Sequence, residues 1–238
     1  MCHRFTGRKS RIFQVEHQKY QSFWRYCEHI MDPIHSDEQW SNWFDALAEN
    51  DFVLIDDFLP VNLLAVVREF FQKQETQFSP AKVGQARIEQ RVPEIRSDMT
   101  YWLDRQRDAE MNDFFLLVED IMERLKLELF LSLQGFEFHF ALYPPGGFYK
   151  PHLDQFDARS NRMISVIIYL NEDWQPKDGG ELRIHKEDMH TDVQPILNRA
   201  VIFRSDCVLH EVLPASKPRR SLTGWLLKRP SGVGVLGI

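Results

Sequence analysis

Two short stretches of the chain carry side chains that could hold one metal ion. His152 and Asp154 lie two residues apart, and in an extended segment such residues point to the same face. His210 follows on a later strand candidate, residues 208–213, after enough strands for the chain to return to the same place. Two imidazoles and a carboxylate make a facial triad that leaves positions of an octahedral iron(II) ion open. The sequence therefore predicts an open iron(II) site. On their own, His152 and Asp154 could instead be a hydrogen-bonded surface pair.

The cysteines count against a closed structural zinc site. Such a site uses four ligands, usually including cysteine, and none of the chain's 3 cysteines is placed for it. Cys2, Cys27 and Cys207 form no close pair, so no disulfide framework is expected. This usage favours a reducing cytoplasm, and Cys207 is expected to be a small buried residue.

Arg219 is a candidate anchor for a carboxylate ligand. It follows His210 after a proline-bounded turn, and a guanidinium in a mostly apolar pocket suits a carboxylate, which it can bind with paired hydrogen bonds. The alternative is a solvated arginine beside the other basic residues of this turn. Strand parity groups Arg219 with Ser221, Thr223 and Trp225 and turns Arg220 to the opposite face. We expect Trp225 to pack the floor of the pocket.

Two tyrosines could complete such a pocket. Tyr143 and Tyr169 end two strand candidates that lead toward the same region. A phenol can donate to a carboxylate while its ring lines the pocket. Each tyrosine alone could equally be a packed aromatic, and it is their combination with the arginine and the triad that favours a functional site.

The elements that position these residues change character along the chain. Helical spacing or capping signals predict helices at 12–31, from the capping box of Ser36 and Gln39 onward, after Pro60, and at 108–127, with a short strand at 52–55. From Phe136 the period becomes two. The strand candidates are 136–143, 162–170, 181–185, 192–195, 200–203, 208–213 and 219–227. Many short strands at regular spacing predict a β-sandwich or barrel-like double sheet behind N-terminal helices, an α+β fold with a mainly β core.

Composition bounds the partners. The 238 residues suit one domain with a helical extension, and the net charge of −6 argues against nucleic acid as the main partner. No apolar run has membrane-spanning length, so we expect no membrane partner. The 18 Phe and 6 Trp favour a large core over a ligand cavity.

The segment from Phe138 to Leu227 resembles a known family, the 2-oxoglutarate/iron(II) oxygenases of the prolyl 4-hydroxylase type, which include the oxygen-sensing prolyl hydroxylases and bacterial relatives. The matching runs are Tyr143-Pro144, Tyr149-x-x-His152-x-Asp154, Ile168-Tyr169-Leu170-Asn171-x-Asp173-Trp174, Gly179-Gly180-x-Leu182-Arg183-Ile184, Ser205-Asp206, His210-Glu211-Val212 and Arg219-x-Ser221-Leu222-Thr223-x-Trp225. A weaker match lies upstream, at Arg96-x-Asp98-x-x-x-Trp102.

The resemblance implies a double-stranded β-helix (jelly roll) at about 136–228, within an oxygenase domain at 51–238 and behind a helical extension at 1–50. It implies that His152, Asp154 and His210 bind iron. Arg219 and Tyr169 would hold the far carboxylate of 2-oxoglutarate, with Tyr143 near its iron-bound end. Arg162 would pair with Asp98. Both residues, together with Trp102, would lie beside the substrate loop.

The implied activity is hydroxylation of a prolyl residue in a protein or peptide substrate. The enzyme would bind iron(II) and consume 2-oxoglutarate and O2. Ascorbate would serve as a reductant, and succinate and CO2 would be released. The region 76–105 is the expected lid, because it is polar and has little periodicity. Alternatives are an oxygenase acting on a small molecule or another side chain, and a jelly-roll binding module without turnover.

Three other histidines receive ordinary interpretations. His185 and His190, with Glu187 between them, are expected to form a solvated loop, because their spacing lacks a helical zinc motif. His139 shares a strand face with Tyr143 and could line the cavity, but a core histidine with satisfied hydrogen bonds is the expectation.

Overall fold

The computed structural model describes residues 35–81, 92–155, 161–187 and 189–228. The helices are α1 (Asp37–Asn50), α2 (Val61–Gln74) and α3 (Asn112–Glu128). The strands are β1 (Phe52–Ile55), β2 (Ser79–Pro80), β3 (Met99–Trp102), β4 (Leu133–Tyr143), β5 (Tyr149–His152), β6 (Arg162–Tyr169), β7 (Leu182–Lys186), β8 (Met189–Val193), β9 (Ala200–Arg204), β10 (His210–Val212) and β11 (Arg219–Lys228). The predicted helix at 12–31 and residues 82–91 of the predicted lid lie outside the described residues. Among the helices that are described, none has both the length and the apolarity needed to cross a membrane.

Two antiparallel sheets form the body of the molecule. The major sheet has seven strands in the order β1-β9-β6-β11-β4-β3-β2, and the minor sheet has four in the order β5-β10-β7-β8. Strands that are distant in the chain are neighbours in both sheets, as in a double-stranded β-helix, and the predicted fold class is confirmed. The long pairing of β11 with β4 and β6 forms the centre of the major sheet.

The two faces of the major sheet are buried by different partners. On β4, Phe138 and Phe140 belong to a core shared with the helices, whereas Ala141 and Tyr143 belong to a second core shared with the minor sheet. Because side chains alternate along a strand, the period of two in the sequence separates these cores. One face therefore supports the helices and the other faces the inter-sheet pocket.

Helix α1 begins where the sequence predicted. Ser36 accepts from the backbone N–H of Gln39, and the Gln39 side chain accepts from the backbone N–H of Ser36, so the capping box is present. Trp40, Phe44 and Leu47 are buried in the core shared with the other helices and the major sheet. Helix α1 thus packs onto the body of the fold.

Several predicted bounds were wrong in identifiable ways. Helix α3 begins at Asn112, after a 3-10 turn at Ala109–Met111, and not at 108. The strand predicted at 192–195 is β8 at Met189–Val193, because it forms a hairpin with β7 in which His185 lies opposite His190. His185 and His190 therefore lie on paired strands and not in a solvated loop. Strand β3 and the short, proline-containing β5 were not predicted as strands, since neither shows a run of alternating apolar residues.

Candidate active site

A pocket of about 510 Å³, its open mouth included, lies between the two sheets. The major sheet contributes side chains from β4 and β11, and the minor sheet contributes side chains from β5 and β10. Its polar or aromatic lining residues are Arg96, His139, Tyr143, Tyr149, His152, Asp154, Arg162, His210, Arg219, Ser221, Thr223 and Trp225. The prediction that one strand face is shared is confirmed, because all of its members line this pocket: Arg219, Ser221, Thr223 and Trp225.

The minor sheet brings the two candidate histidine ligands together. His152 on β5 lies directly opposite His210 on β10, and their ring centroids are 4.3 Å apart. Asp154 lies just beyond the end of β5, with Oδ1 3.5 Å from Nε2 of His152 and Oδ2 3.9 Å from Nε2 of His210. One ligand atom from each of the three residues lies within 4.8 Å of the others. Within the described parts of the chain, this is the one group of three or more such side chains with that spacing.

Backbone carbonyls orient both imidazoles. Nδ1 of His152 lies 2.8 Å from the carbonyl oxygen of Lys150, and Nδ1 of His210 lies 3.0 Å from that of Val208. A carbonyl oxygen can only accept, so each Nδ1 must carry the proton. Each Nε2 is then left with a lone pair directed toward Asp154, as a metal ligand requires.

The protonation states also suit a cation. Burial would raise the pKa of Asp154, but the nearby imidazoles of His210 and His152 hold it well below its usual range. Burial and the proximity of His152 lower the pKa of His210 to about 4. At neutral pH the site therefore offers an ionised carboxylate and a neutral imidazole, the forms that bind metals.

Arg219 lines the same pocket, is buried, and is incompletely hydrogen-bonded. It is only 1% exposed, and its Nε donates to the carbonyl oxygen of Gly180 at 2.8 Å. Gly180 has a φ of +73°, and a Cβ there would come within 2.8 Å of the Ala215 side chain. Glycine at this position therefore allows the close approach that orients the guanidinium. Nη2 of Arg219 is buried without a hydrogen-bond partner.

Two tyrosines flank this guanidinium. Its central carbon lies 5.2 Å from the ring centroid of Tyr143 and 5.0 Å from that of Tyr169. The Tyr169 hydroxyl is buried without a partner, and burial raises its pKa while Arg219 opposes that rise. Burial likewise raises the pKa of Tyr143 far above its ordinary value. Both phenols remain protonated at neutral pH and can donate to an anionic ligand.

A second pair of unpartnered atoms lies toward the opposite end of β4 and β11. Nδ1 of His139 and Nε1 of Trp225 are buried without hydrogen-bond partners. The His139 ring is stacked 5.3 Å from that of Trp225 and lies 4.7 Å from that of Trp102. The expectation of a satisfied core histidine was wrong, because its ring is held by aromatic contacts that leave Nδ1 free. Burial lowers the pKa of His139 well below its ordinary value, and Arg96 and Arg162 reinforce the effect.

The predicted ion pair between Arg162 and Asp98 does not form. Arg162 instead donates to Glu137 at 2.6 Å, and its guanidinium lies 3.3 Å from the ring centroid of Trp225. Strand pairing explains this choice, because Trp225 lies directly opposite Glu137 on the neighbouring strand. Asp98 is bonded to Arg96 at 2.6 Å, two residues away on the same extended segment.

Some site residues were not singled out from the sequence. The Tyr149 ring stacks on the His152 ring with their centroids 3.6 Å apart. On Tyr149, the central carbon of the Arg96 guanidinium lies 4.4 Å from the ring centroid. The odd spacing of Tyr149 and His152 concealed their contact, since strict alternation would put them on opposite faces.

Cys207, expected to be buried, is half-buried beside the core shared with the minor sheet.

Comparison with known proteins adds independent findings. The family model described as the 2OG-Fe(II) oxygenase superfamily matches residues 138–227. A prolyl-4-hydroxylase of Pseudomonas putida is 36% identical with a TM-score of 0.72, and the match covers 80% of this chain and 100% of that one. This chain belongs to the 2OG-Fe(II) oxygenase superfamily.

Two more relatives extend the comparison of this oxygenase. A prolyl hydroxylase of Trichoplax adhaerens, solved with a peptide fragment of the hypoxia inducible factor oxygen degradation domain, is 27% identical, with a TM-score of 0.71 and coverage of 86% of this chain and 93% of that one. Egl nine homolog 1 of Rattus norvegicus is 39% identical over 90 residues, or 36% of this chain. The match spans only 26% of that curated relative's length.

The side chains of this oxygenase fit the metal and the cosubstrate that its family name states. The two Nε2 atoms and the Asp154 carboxylate are a donor set that suits iron(II). The unpartnered Nη2 of Arg219 and the unpartnered hydroxyl of Tyr169 are buried donors that a carboxylate would satisfy. Iron(II), 2-oxoglutarate and O2 are therefore the cofactor and cosubstrates of this site.

Proposed function

We propose that this oxygenase hydroxylates a prolyl residue of a protein or peptide substrate and releases succinate and CO2. The observation that carries the oxygenase part is an open metal triad in one pocket with the buried, unpartnered nitrogen of Arg219, beside which lies the unpartnered hydroxyl of Tyr169. His152, Asp154 and His210 account for the metal, and Arg219 with Tyr169 accounts for a carboxylate. A site that only bound zinc would have no need of the second group.

Each group has a defined task in this proposal. His152, Asp154 and His210 would hold iron(II), and a set of three protein ligands would leave further positions for other ligands. The bound ion, with 2-oxoglutarate and O2, supplies the oxidising chemistry that inserts oxygen into a C–H bond. Arg219 and Tyr169 would orient the far carboxylate of 2-oxoglutarate by donating hydrogen bonds, and the burial of both side chains would strengthen those bonds. Tyr143 lines the same path and limits where the cosubstrate can lie.

The substrate would occupy the end of the pocket that the cosubstrate does not use. There the unpartnered Nε1 of Trp225 can only donate, and Nδ1 of the neutral His139 can accept or donate, according to its tautomer. Neutral polar atoms between aromatic rings suit an amide-containing ligand better than a charged one. Trp102, which is 44% exposed and lies against His139, extends this wall toward solvent.

Prolyl specificity is proposed from the relatives. The P. putida neighbour is a prolyl-4-hydroxylase, and the T. adhaerens neighbour is a prolyl hydroxylase that binds a peptide in its structure. The exposed Trp102 ring, which lies against the pocket-lining His139, supports access for an extended peptide. The predicted contribution of the 76–105 region as a lid belongs to this proposal. We also propose ascorbate as a reductant and the cytoplasm as the location, the latter from the sparse cysteines.

The test measures succinate from 2-oxoglutarate, together with the mass of the peptide products. The full chain is reconstituted with iron(II), 2-oxoglutarate and ascorbate and is given peptides from a whole-cell protein digest. We expect succinate formation and the gain of one oxygen atom on prolyl residues. His152→Ala should abolish both, because it removes a metal ligand. Arg219→Ala should weaken 2-oxoglutarate binding by roughly 10–100-fold, the effect of losing a charge-assisted buried hydrogen bond.

Arg220→Ala is the matched control. Arg220 neighbours Arg219 on the same strand, but its guanidinium lies 3.8 Å from Glu75 and outside the pocket. Its removal should leave 2-oxoglutarate affinity unchanged. Full succinate formation by His152→Ala would contradict the metal assignment. Oxygen found only on residues other than proline, or on small molecules, would contradict the substrate.

A further inference from the structure

Asp154 differs from the two histidines in how it is held. His152 and His210 lie opposite each other on paired strands of the minor sheet, and their rings are oriented by backbone carbonyls close in sequence. Asp154 lies past the end of β5, so no strand pairing fixes its position. Something else must orient its carboxylate.

That contact comes from the major sheet. Ser165 lies on β6 with 0% exposure, and its hydroxyl donates to Oδ2 of Asp154 at 2.6 Å. Ser165 is paired with Trp225 on one side and Phe203 on the other, so its backbone is fixed at the centre of the sheet. The bond therefore joins the rigid major sheet to a ligand at the edge of the minor sheet.

Ser205 continues this chain of hydrogen bonds. Its Oγ lies 2.8 Å from Oγ of Ser165, and it too is completely buried. A hydroxyl has one proton, and that of Ser165 is given to the carboxylate, which only accepts when ionised. Ser205 must then donate to Ser165, so the bonds run in one direction, from Ser205 through Ser165 to Asp154.

Ser205 also holds the backbone beside the ligand. Its carbonyl oxygen accepts from the N–H of Gln155 at 2.8 Å, and its own N–H donates to the carbonyl of Met163 at 3.1 Å. The residue after Asp154 and the side chain of Asp154 are thus tied to the same serine, one directly and one through Ser165. These contacts are all hydrogen bonds between polar groups, so they orient Asp154 in a way that apolar packing alone would not.

We propose that Ser165 and Ser205 are positioning residues that restrict Asp154 to binding the metal through one oxygen. An oxygen that already accepts a short hydrogen bond is a poorer metal ligand. Oδ2 accepts from Ser165, so Oδ1, which lies nearer His152, is the oxygen available to the metal. A carboxylate that is not restrained can bind through both oxygens and occupy one more position of the ion. The two serines thereby keep that position open for 2-oxoglutarate, O2 or water. This role rests on the proposed function, because it concerns the same metal site.

The test uses Mn(II) as the metal probe on the full chain and requires no turnover. The two readouts are the Mn(II) dissociation constant and the number of waters on the bound ion, measured by water proton relaxation. We expect Ser165→Ala to weaken binding by about 10–100-fold, the usual effect of losing a partner that orients a ligand. We also expect fewer bound waters, because the freed Oδ2 takes a position on the ion. A purely structural role would not change the water count.

Three further variants complete the experiment. Ser205→Ala should change both readouts in the same direction by a smaller factor, and Ser165→Thr should restore them because it keeps the hydroxyl. Ser36→Ala is the matched control, since it removes a hydroxyl that caps α1 and should leave both readouts unchanged. If Ser165→Ala does not fold, Ser165→Cys, which keeps the shape but donates weakly, replaces it.

Wild-type affinity and a wild-type water count in Ser165→Ala would overturn the role of the serines. Wild-type protein that binds no Mn(II) would overturn the metal site, and this role with it. The two failures are distinguishable, because the first appears only in the variant and the second already in the wild type.

Discussion

The unpartnered polar atoms of the pocket are the clearest sign of function at the scale of single residues. A buried donor or acceptor without a partner costs about 1–3 kcal/mol. Among the described residues, four side chains carry such an atom: His139, Tyr169, Arg219 and Trp225. All but Tyr169 line the pocket directly, and Tyr169 lies beside the pocket-lining Ser221 on the next strand. Atoms left unpaired by the fold are available to ligands, which explains why they are concentrated at one site.

His139 should make the stability of the metal-free protein depend on pH. Burial, with help from Arg96 and Arg162, lowers its pKa in the folded state, whereas the unfolded value is about 6.5. As the pH falls below about 6.5, the unfolded chain gains a proton that the folded chain does not, so the free energy of unfolding falls. Between pH 6.5 and 5.5 the wild type should lose about 1 kcal/mol more than His139→Gln.

Urea unfolding of both proteins at the two pH values measures this difference. The other histidines are present in both proteins, so their contributions cancel. Equal losses in wild type and variant would mean that His139 is protonated in the folded state, contrary to its burial between aromatic rings.

At the scale of elements, the pairing of β4 with β11 decides the shape of the pocket. The register places Arg219 opposite Tyr143 and Thr223 opposite His139, so one strand pair carries both the proposed cosubstrate end and the proposed substrate end. Close packing at Gly224 holds this pair against the helical core. A Cβ at Gly224 would come within 2.3 Å of the Phe138 ring and 2.5 Å of the Glu137 carbonyl oxygen.

Gly224→Ala should therefore destabilise the protein. The added methyl group has to displace Phe138 or the backbone of β4, and overpacking of this kind costs about 1–3 kcal/mol. Thermal or urea unfolding measures the loss. Gly135→Ala, on the same strand pair, is the control, because a Cβ there meets nothing within 4 Å and should be neutral or stabilising by up to roughly 1 kcal/mol. An effect of equal size at both positions would show that contact with Phe138 is not the cause.

At the scale of the whole molecule, the helices are part of the structure that supports the site. Phe44 of α1 and Phe71 of α2 are almost fully buried in the core that also contains Phe140 of β4. The same strand carries His139 and Tyr143 on its other face. Helical packing thus determines the position of a strand that lines the pocket.

Phe44→Ala tests whether residues 37–50 unfold together with the jelly roll. Removing a buried phenylalanine costs about 3–5 kcal/mol, and we expect one transition shifted to lower denaturant for the whole protein. The exposed Asp45→Ala on the same helix should change stability by no more than about 0.5 kcal/mol. An early separate transition of the helix, with the jelly roll unchanged, would support the predicted boundary at residue 50 as a true domain boundary.

The features determined by the sequence alone are those that depend on local spacing. The alternation along 136–143 and 219–227 specified which side chains share a face, so the common face of Arg219, Ser221, Thr223 and Trp225 could be predicted. The capping box at Ser36 is equally local. Spacing also predicted the metal triad of His152, Asp154 and His210, and the family resemblance then assigned separate roles to the two tyrosines. Their roles in binding stay predictions until the variants are measured.

Contacts between strands distant in the chain were decided only by the tertiary structure. The sequence offered Asp98 as the partner of Arg162, but the register that puts Trp225 opposite Glu137 brings Arg162 to Glu137 instead. The unpaired Nδ1 of His139 and the hydrogen bond from Ser165 to Asp154 likewise depend on which strands become neighbours. An ionisable or hydroxyl side chain in a sequence has many possible partners, and the sheet order and register decide which of them come within reach.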